Sequence, residues 1–282
     1  MHRAISTHVF LRQRLHPGLL DAMLRAGAQG VELFAARHHF DYSDRQQVRE
    51  IANWFKSNPV EFNSLHQPIY SDTQWSRNVG HAVNLIDVEK SRRIDAMDEV
   101  KRAIEVAEMI PIRSVAIHLG NRGDQWNTRA LENSLSAIEH LKAFAHPLGV
   151  KLHVENIENE VTEPEHLLEI LRVGHFDTVG VCLDLGHAHI SPGIEEAFAL
   201  LKDRIREVHL HDNHGQKDEH LWPGSGTMDW TKIMLLLGDL KQPPVGVLEI
   251  THEPQEEEAS IVKKAIAAFD LLQRATEVEA PR

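Results

Sequence analysis

Side chains able to bind metal ions or carry protons recur in this sequence where short apolar runs end. The segments that contain them are SLHQP, IHLG, HVENI, LDLGHAH, VHLHDN and LEITHE. They supply His66, His118, Glu155, Asp184, His187, His209, His211, Asp212 and Glu249. Any one of these residues alone would most simply be solvated or bonded to the backbone. Their recurrence at the same end of six successive runs indicates one shared divalent-cation site, since a cation would compensate crowded carboxylates and imidazoles.

Four of these residues form the expected centre of the site: Glu155, Asp184, His211 and Glu249. Three carboxylates and one imidazole suit Mn²⁺, Mg²⁺, Co²⁺, Fe²⁺ or Zn²⁺, and the sequence does not select among them. A cation there would polarise a carbonyl group, while Glu155 and Glu249 would move a proton between neighbouring carbons through an enediolate. This chemistry is that of a ketose–aldose isomerase or a ketose epimerase, with a small sugar as substrate.

A long connection after the seventh run, HLHDNHGQKDEHLWPGSGTMDW (209–230), carries further candidates. Asp218 and His220 are two residues apart, so an extended loop would point both side chains the same way. Lys217 is a candidate contact to a substrate oxygen. Trp222 either forms a wall of the pocket or packs beneath the loop.

The elements that must position these residues alternate along the chain. Eight β-rich runs are predicted as strands, at 4–10, 30–34, 61–66, 114–119, 151–156, 179–185, 207–212 and 246–251. Helical patterns at 17–28, 88–110, 128–149 and 253–275 lie between or after them. Alternating strands and helices predict parallel pairing with crossovers, and eight strands can close a (β/α)8 TIM barrel. A doubly wound open sheet would usually carry a glycine-rich phosphate loop after its first strand, and this sequence has none there. We therefore predict one barrel domain over residues 1–282, with the candidate residues meeting at its carboxyl-terminal mouth.

The composition is that of an ordinary globular protein: 282 residues, 42% hydrophobic and 26% charged. The formal net charge of −12 argues mildly against a nucleic-acid partner, which usually meets a basic face. The sequence predicts neither a secretory signal nor a membrane span. The single cysteine, Cys182, allows no intrachain disulfide and fits a cytoplasmic location. Barrels of this size often pair, so a homo-oligomer is one expected state. Twenty histidines are many for this length, and we expect most outside the strand ends, including His8, to be ordinary surface or packing residues.

Four segments resemble a known family. In their order and spacing, LHVEN, GVCLDLGHAH, EVHLHDNHGQKDEHLWPGSGTMDW and GVLEITHE resemble the sugar phosphate isomerase/epimerase superfamily of xylose isomerase-like TIM barrels, and the resemblance covers nearly the whole chain. It implies a metal ion held by Glu155, Asp184, His211 and Glu249. It also implies that Glu155 and Glu249 are the acid–base pair of an isomerase or epimerase for a sugar, sugar phosphate or polyol.

The same superfamily contains the endonuclease IV-type apurinic endonucleases, which leaves an alternative function open. The resemblance to that branch implies a trinuclear zinc site, for which five more residues match: His66, His118, His187, Asp218 and His220. In the epimerase branch the same five would be metal or substrate contacts. We see no DNA-inserting loops of the endonuclease kind, so the sequence favours the isomerase or epimerase.

Two details bear on the substrate. The second substrate-binding acid of the epimerases has no clean match after Glu155, because Glu158 and Glu160 compete for the position. Only Arg122 and Lys217 are candidates for binding a phosphate. One M²⁺ with three carboxylates carries a charge of about −1 and suits a neutral hydroxy-ketone. Three Zn²⁺ with four carboxylates carry about +2 and suit a phosphodiester.

Overall fold

Eight parallel strands close a barrel in chain order from β1 to β8. The computed structural model describes residues 1–71, 81–251 and 256–277. Its strands are β1 His2–Ser6, β2 Gly30–Phe34, β3 Phe62–His66, β4 Ser114–Ile117, β5 Lys151–Glu155, β6 Gly180–Asp184, β7 Ile205–Leu210 and β8 Val245–Leu248. The predicted (β/α)8 barrel is thus confirmed, while the assignment of the whole span 1–282 to one domain stays a prediction.

Helices connect the strands and cover the outside of the barrel. They are α1 Pro17–Arg25, α2 Arg45–Ser57, α3 Lys90–Ile104, α4 Thr128–Ala145, α5 Pro164–Val173, α6 Leu185–Ile190, α7 Ile194–Leu201, α8 Trp230–Gly238 and α9 Glu258–Glu277. Three of the predicted helices end earlier than expected, and two of them, α3 and α4, continue as short 3₁₀ turns. The proposed start of the last helix at 253 lies outside the described residues. Within the described part of the chain, no helix is long and apolar enough to cross a membrane.

Alternation along each strand separates the apolar layer from the site. In β5, Leu152 and Val154 are buried among apolar side chains of the core, and they alternate with His153 and Glu155. Successive strand side chains point to opposite faces, so His153 and Glu155 point into the barrel when Leu152 and Val154 point toward the helices. The helices complete the apolar layer with side chains such as Ile138. The chemistry-bearing residues are therefore fixed on rigid strands.

The barrel interior is unusually polar. Such interiors are usually filled by Val, Ile and Leu. Here Glu207 is fully buried and accepts hydrogen bonds from His153 Nδ1 (2.7 Å) and Ser114 Oγ (3.3 Å). Glu32, also fully buried, faces His209. These two carboxylate–histidine pairs lie among the inward side chains of the strands that carry the candidate site.

The helical pattern at 88–110 predicts one apolar stripe, formed by Ile94, Met97, Val100, Ile104, Ala107 and Met109. Val100 and Ile104 in the middle of it are buried. Ile94 and Met109, expected to be inside, are 49% and 41% exposed. Glu99 is buried instead, because the guanidinium of Arg37 and the hydroxyl of Tyr42 both donate to its carboxylate. The expected stripe is wrong at these two positions, and the burial of Glu99 depends on partners on the loop after β2 that local periodicity does not reveal.

Candidate metal centre

Three carboxylates converge on one nitrogen of His209. Its Nδ1 lies 3.3 Å from Glu155 Oε1, 3.2 Å from Glu249 Oε2 and 3.6 Å from Asp184 Oδ2. All four side chains are at most 4% exposed. The residues come from strands β5, β6 and β7 and from the end of β8, and the strand register places His209 directly beside Asp184. We call Glu155, Asp184, His209 and Glu249 the inner set.

His211, which the sequence placed in this set, occupies a neighbouring position. Its Nε2 lies 3.0 Å from Asp184 Oδ2, and its ring stacks on His220 with centroids 4.0 Å apart. A carboxylate can only accept, so the proton is on Nε2. The buried Nδ1 has no hydrogen-bond partner in the described structure. His209 thus faces all three carboxylates of the inner set, whereas His211 contacts Asp184; the ligand role predicted for His211 stays a prediction.

The second oxygen of Glu155 meets two more predicted residues. Glu155 Oε2 is 3.3 Å from His66 Nε2 and 3.1 Å from His118 Nε2. The three donor atoms lie close enough to surround a single cation. Glu155 thus faces His209 with one oxygen and the His66–His118 pair with the other.

A third group forms on the loop after β7. Asp218 Oδ2 lies 2.9 Å from His220 Nε2 and 3.4 Å from His187 Nε2. The predicted convergence of Asp218 and His220 is therefore seen, although the loop is not extended there, because His220 has a left-handed φ of 48°. These outer residues are partly exposed, with His187 at 12%, His220 at 15% and Asp218 at 23%. They lie nearer to solvent than the inner set.

The histidines are held in a form that suits metal binding. Nδ1 of His66 donates to the carbonyl of Gln67 (2.8 Å), Nδ1 of His187 to that of Asn156 (2.9 Å), and Nδ1 of His220 to that of Glu249 (2.9 Å). Such bonds fix the tautomer and direct Nε2 at the site. Without a metal, the Nε2 proton balances the nearby carboxylates, and a divalent cation would replace that proton. The donor set therefore fits divalent cations.

The charges in the cluster support this interpretation. Burial acts to raise the pKa of Glu155, but His209 and His118 hold it well below its usual range. For Asp184, burial is likewise outweighed by His187 and His211, and the pKa is lowered. Burial alone would lower the pKa of His66, yet Glu155 raises it to about 9. The carboxylates are thus ionised and in need of positive charge, supplied here by protons on the histidines.

Two site residues escaped sequence reasoning. His8 was expected to be an ordinary packing residue. Its ring lies close enough to His220 and Glu249 for the three side chains to bind one cation. Its Nδ1 is hydrogen-bonded to the carbonyl of Ile250 (3.1 Å). Burial lowers the pKa of His8 to about 4. Glu32 contacts His209 from β2. The available signal for Glu32 was an acid inside the apolar run GVELF, since buried charges usually have a partner.

The loop after β7 is anchored by Asp212. Its carboxylate accepts hydrogen bonds from the backbone of Asn213 (2.9 Å), Gly224 (2.9 Å) and Met228 (3.2 Å), and from the indole of Trp230 (2.9 Å). This fixes both ends of the segment that carries the third donor group.

The remaining predicted contacts are less central. Lys217 is exposed, and Trp222 is half-buried against the core. Arg122 is 71% exposed and pairs with Glu158 at 2.8 Å. Glu160 accepts a hydrogen bond from the backbone of Trp126. Their roles toward a substrate stay predictions.

A cavity of about 260 Å³ opens beside His187. Its lining includes Gln125, Asn156, Glu158 and Ser191. The cavity adjoins the third donor group, so a molecule bound at the centre could extend into it.

Known proteins with similar sequences include uncharacterised proteins, probable endonucleases and an epimerase. The chain is 28% identical to an uncharacterised protein of Methanocaldococcus jannaschii over 58% of this chain and 59% of that protein. It is 27% identical to a probable endonuclease 4 of Natronomonas pharaonis over 54% of this chain and 60% of that protein. It is 21% identical to the fructoselysine 3-epimerase of Shigella flexneri over 87% and 89%. The chain thus spans about three fifths of the length of the first two relatives.

Solved structures share the fold over nearly the full chain. A D-tagatose 3-epimerase-like protein superposes with a TM-score of 0.78 at 22% identity, covering 99% of this chain and 98% of that one. The IOLI protein with a bound zinc atom gives 0.76 at 16% identity, covering 98% and 99%. The model of one protein family, the xylose isomerase-like TIM barrels, matches residues 20–272. With the closed eight-stranded barrel, this match shows that the chain belongs to the xylose isomerase-like TIM barrel family.

Proposed function

We propose that this protein is a divalent-metal-dependent isomerase or epimerase of a small hydroxy-ketone such as a sugar, with Glu155 and Glu249 as its acid–base pair. The observation that carries the proposal is the convergence of both carboxylates, from β5 and the end of β8, on His209 Nδ1 at 3.3 and 3.2 Å. The fructoselysine 3-epimerase relative, matched over most of its length, supports the same class.

Glu155, Asp184, His209 and Glu249 would hold the metal ion. When bound, the cation would polarise the substrate carbonyl and stabilise the negative charge that develops as the neighbouring carbon loses its proton. The sequence prediction is kept, with His209 in place of His211, because only His209 meets all three carboxylates.

The two glutamates would carry the protons. They come from separated strands, Glu155 from β5 and Glu249 from the end of β8, so a substrate bound at the metal would meet one carboxylate on each side. One glutamate removes the proton next to the carbonyl, and the other returns a proton to the opposite face of the carbon in an epimerase. His118 and His187, both 12% exposed, lie at the mouth and would orient substrate hydroxyl groups.

The side cavity favours an unphosphorylated substrate. Its lining includes three carboxylates, Glu158, Glu160 and Glu163. The exposed Arg122 forms an ion pair with one of them, Glu158. A phosphate entering this cavity would meet like charge and would lose hydration without gaining a firm partner.

A second function, hydrolysis of a phosphoester by three zinc ions, is favoured by one specific observation. The outer residues form two further donor groups instead of lining an open pocket separately. One is His66–His118–Glu155, and in the other Asp218 faces His220, His187 and His211. With three Zn²⁺ the cluster would carry about +2 and suit a phosphodiester. The probable endonuclease 4 relative supports this alternative.

Metal count and proton exchange together test the proposal. Protein stripped of metal and reloaded separately with Mn²⁺, Co²⁺ or Zn²⁺ is analysed for bound metal. It is then incubated with a panel of ketohexoses in D₂O. Proton nuclear magnetic resonance should show loss of the signal of the proton on the carbon next to the carbonyl. The metal analysis should give one metal ion per chain. Glu155→Gln and Glu249→Gln should abolish the exchange. Glu207→Gln, which removes a buried carboxylate outside the donor groups, should retain it.

The alternative makes the opposite predictions. Three zinc ions per chain, cleavage of abasic-site DNA or of a small phosphodiester, and no exchange with any ketose would overturn the isomerase proposal. One metal ion with exchange and no cleavage would exclude the hydrolase.

A further inference from the structure

Glu32 makes a contact beneath the inner set that no sequence motif assigns. Its Oε2 lies 3.2 Å from Nε2 of His209, and both side chains are fully buried. The other oxygen, Oε1, has no hydrogen-bond partner among residues 1–71, 81–251 and 256–277. Within the described residues, Nε2 of His209 is thus the hydrogen-bond partner of this carboxylate.

Such a carboxylate is costly for the fold. A buried ionised group needs several partners to offset its lost hydration. A buried ion pair can often be replaced by apolar side chains of similar volume without loss of stability. Stability alone therefore does not explain Glu32 in a strand, GVELF, that is otherwise apolar.

Glu32 contacts the ring nitrogen of His209 that lies opposite the one facing the three carboxylates. Because a carboxylate only accepts, Nε2 of His209 carries a proton directed at Glu32. Nδ1 of His209 faces the carboxylates of Glu155, Asp184 and Glu249, so without a metal it also carries a proton. A cation would replace that proton and take up the lone pair of Nδ1, while the Nε2 proton stays directed at Glu32. A carboxylate behind a ligating histidine fixes the tautomer, orients the ring and makes the ligand more basic.

We infer that Glu32 is a positioning residue that sets the metal affinity of the centre by holding His209. The inference rests on the metal site of the proposed function, but not on which reaction that site performs.

The barrel contains a matched control. Glu207 is equally buried, is paired with His153 at 2.7 Å, and also has one oxygen without a partner in the described chain. It makes no hydrogen bond to a member of the inner set that the structure records. Removing Glu207 therefore disturbs the barrel interior to a similar degree while leaving His209 with its carboxylate.

The experiment compares Glu32→Leu, Glu32→Gln, Glu207→Leu and Glu207→Gln in the full chain. For each protein, apparent dissociation constants for Co²⁺ are measured by competition with a chromogenic chelator. The visible absorption of bound Co²⁺ reports its ligand geometry. Urea unfolding of the metal-free protein reports stability separately.

Glu32→Leu should raise the Co²⁺ dissociation constant of the tightest site by about 10- to 100-fold, the usual effect of losing such an outer partner. It should also change the cobalt spectrum. The metal-free protein should lose no more stability than Glu207→Leu does, because each variant leaves one buried histidine without its carboxylate. Glu32→Gln should give a smaller increase, since its amide oxygen still accepts from His209, and it serves if the leucine variant does not fold. The Glu207 variants should bind Co²⁺ within about threefold of the wild type.

Unchanged affinity in both Glu32 variants would overturn the inference. Equal loss of affinity in the Glu207 variants would do the same, because the effect would then be a general one of the barrel interior. If the wild-type protein itself bound no divalent metal, the proposed function would fail first, so the two failures are distinguishable.

Discussion

Asp212 is expected to be the residue outside the donor groups on which the site most depends. It follows β7 and has no exposed surface. Its carboxylate accepts four hydrogen bonds, three from loop backbone groups and one from the indole of Trp230, at 2.9 to 3.2 Å. Its backbone also pairs with Leu221 in both directions. The segment between these contacts carries Asp218 and His220.

The magnitude follows from what Asp212→Ala would leave behind. Hydrogen bonds to a charged group contribute roughly 1.5–3 kcal/mol each, and the sum is not additive. The backbone N–H of Met228 and the indole N–H of Trp230 are buried and would lose this acceptor. A buried donor left without an acceptor costs about 1–3 kcal/mol, so these two donors together suggest a loss of about 2–6 kcal/mol in the free energy of unfolding.

The assay is urea unfolding of metal-free protein, followed by far-ultraviolet circular dichroism so that the altered environment of Trp230 does not bias the signal. Asp229→Ala is the control, because Asp229 caps α8 through Lys232 N at 3.1 Å in an exposed position and should cost only about 1 kcal/mol. Metal content is measured in parallel, and any metal that the wild-type protein holds at the group of His187, Asp218 and His220 should be lost in Asp212→Ala. A loss of stability no larger than that of Asp229→Ala would refute the reasoning.

Three further predictions concern the site and the core. His209→Ala should weaken metal binding by more than about tenfold and His211→Ala by less, as measured by metal content after dialysis; the reverse order would restore His211 as the ligand. Gly186→Ala would place a Cβ 1.9 Å from Cε1 of His211 and should cost about 1–3 kcal/mol in urea unfolding or more, whereas Gly238→Ala, with nothing within 4 Å, should be neutral or stabilising. Burial lowers the pKa of His39 to about 3, so the folded state disfavours its proton. Stability from this residue is complete above pH 6.5 and falls below it by up to about 1.4 kcal/mol per pH unit. His39→Gln should flatten this slope between pH 7 and 5, and parallel slopes would contradict it.

The architecture could be predicted because its signals are local and repeated. Each strand is a short β-rich run, and eight runs separated by helical lengths leave few topologies. Helix α2 was not among the predicted helices, although Asp44 caps it and Val48, Ile51 and Phe55 share one face. The burial of Glu99 in α3 could not be predicted, because its partner Arg37 is 62 residues away in sequence.

The sequence predicts which side chains of the site point into the barrel, but it does not predict which of them contact one another there. Alternation along β7 sends Glu207, His209 and His211 to the same side, so the sequence identifies all three as inward. Which of them meets the carboxylates depends on the stagger between strands. The register pairs His209 with Asp184, and no local pattern encodes that register.

The inner set and the residues at the mouth also differ in their exposure to solvent. The inner set is at most 4% exposed, while His118, His187, Asp218 and His220 range from 12% to 23%. An incoming substrate therefore meets the outer residues first. If they hold zinc, the mouth is positive, and it attracts and stabilises a phosphodiester. If they hold only protons or water, the inner cation leaves a net charge of about −1, and a neutral polyhydroxylated substrate is the better fit. The number of metal ions thus sets the sign of the charge that a substrate encounters, and with it the class of reaction that this barrel can perform.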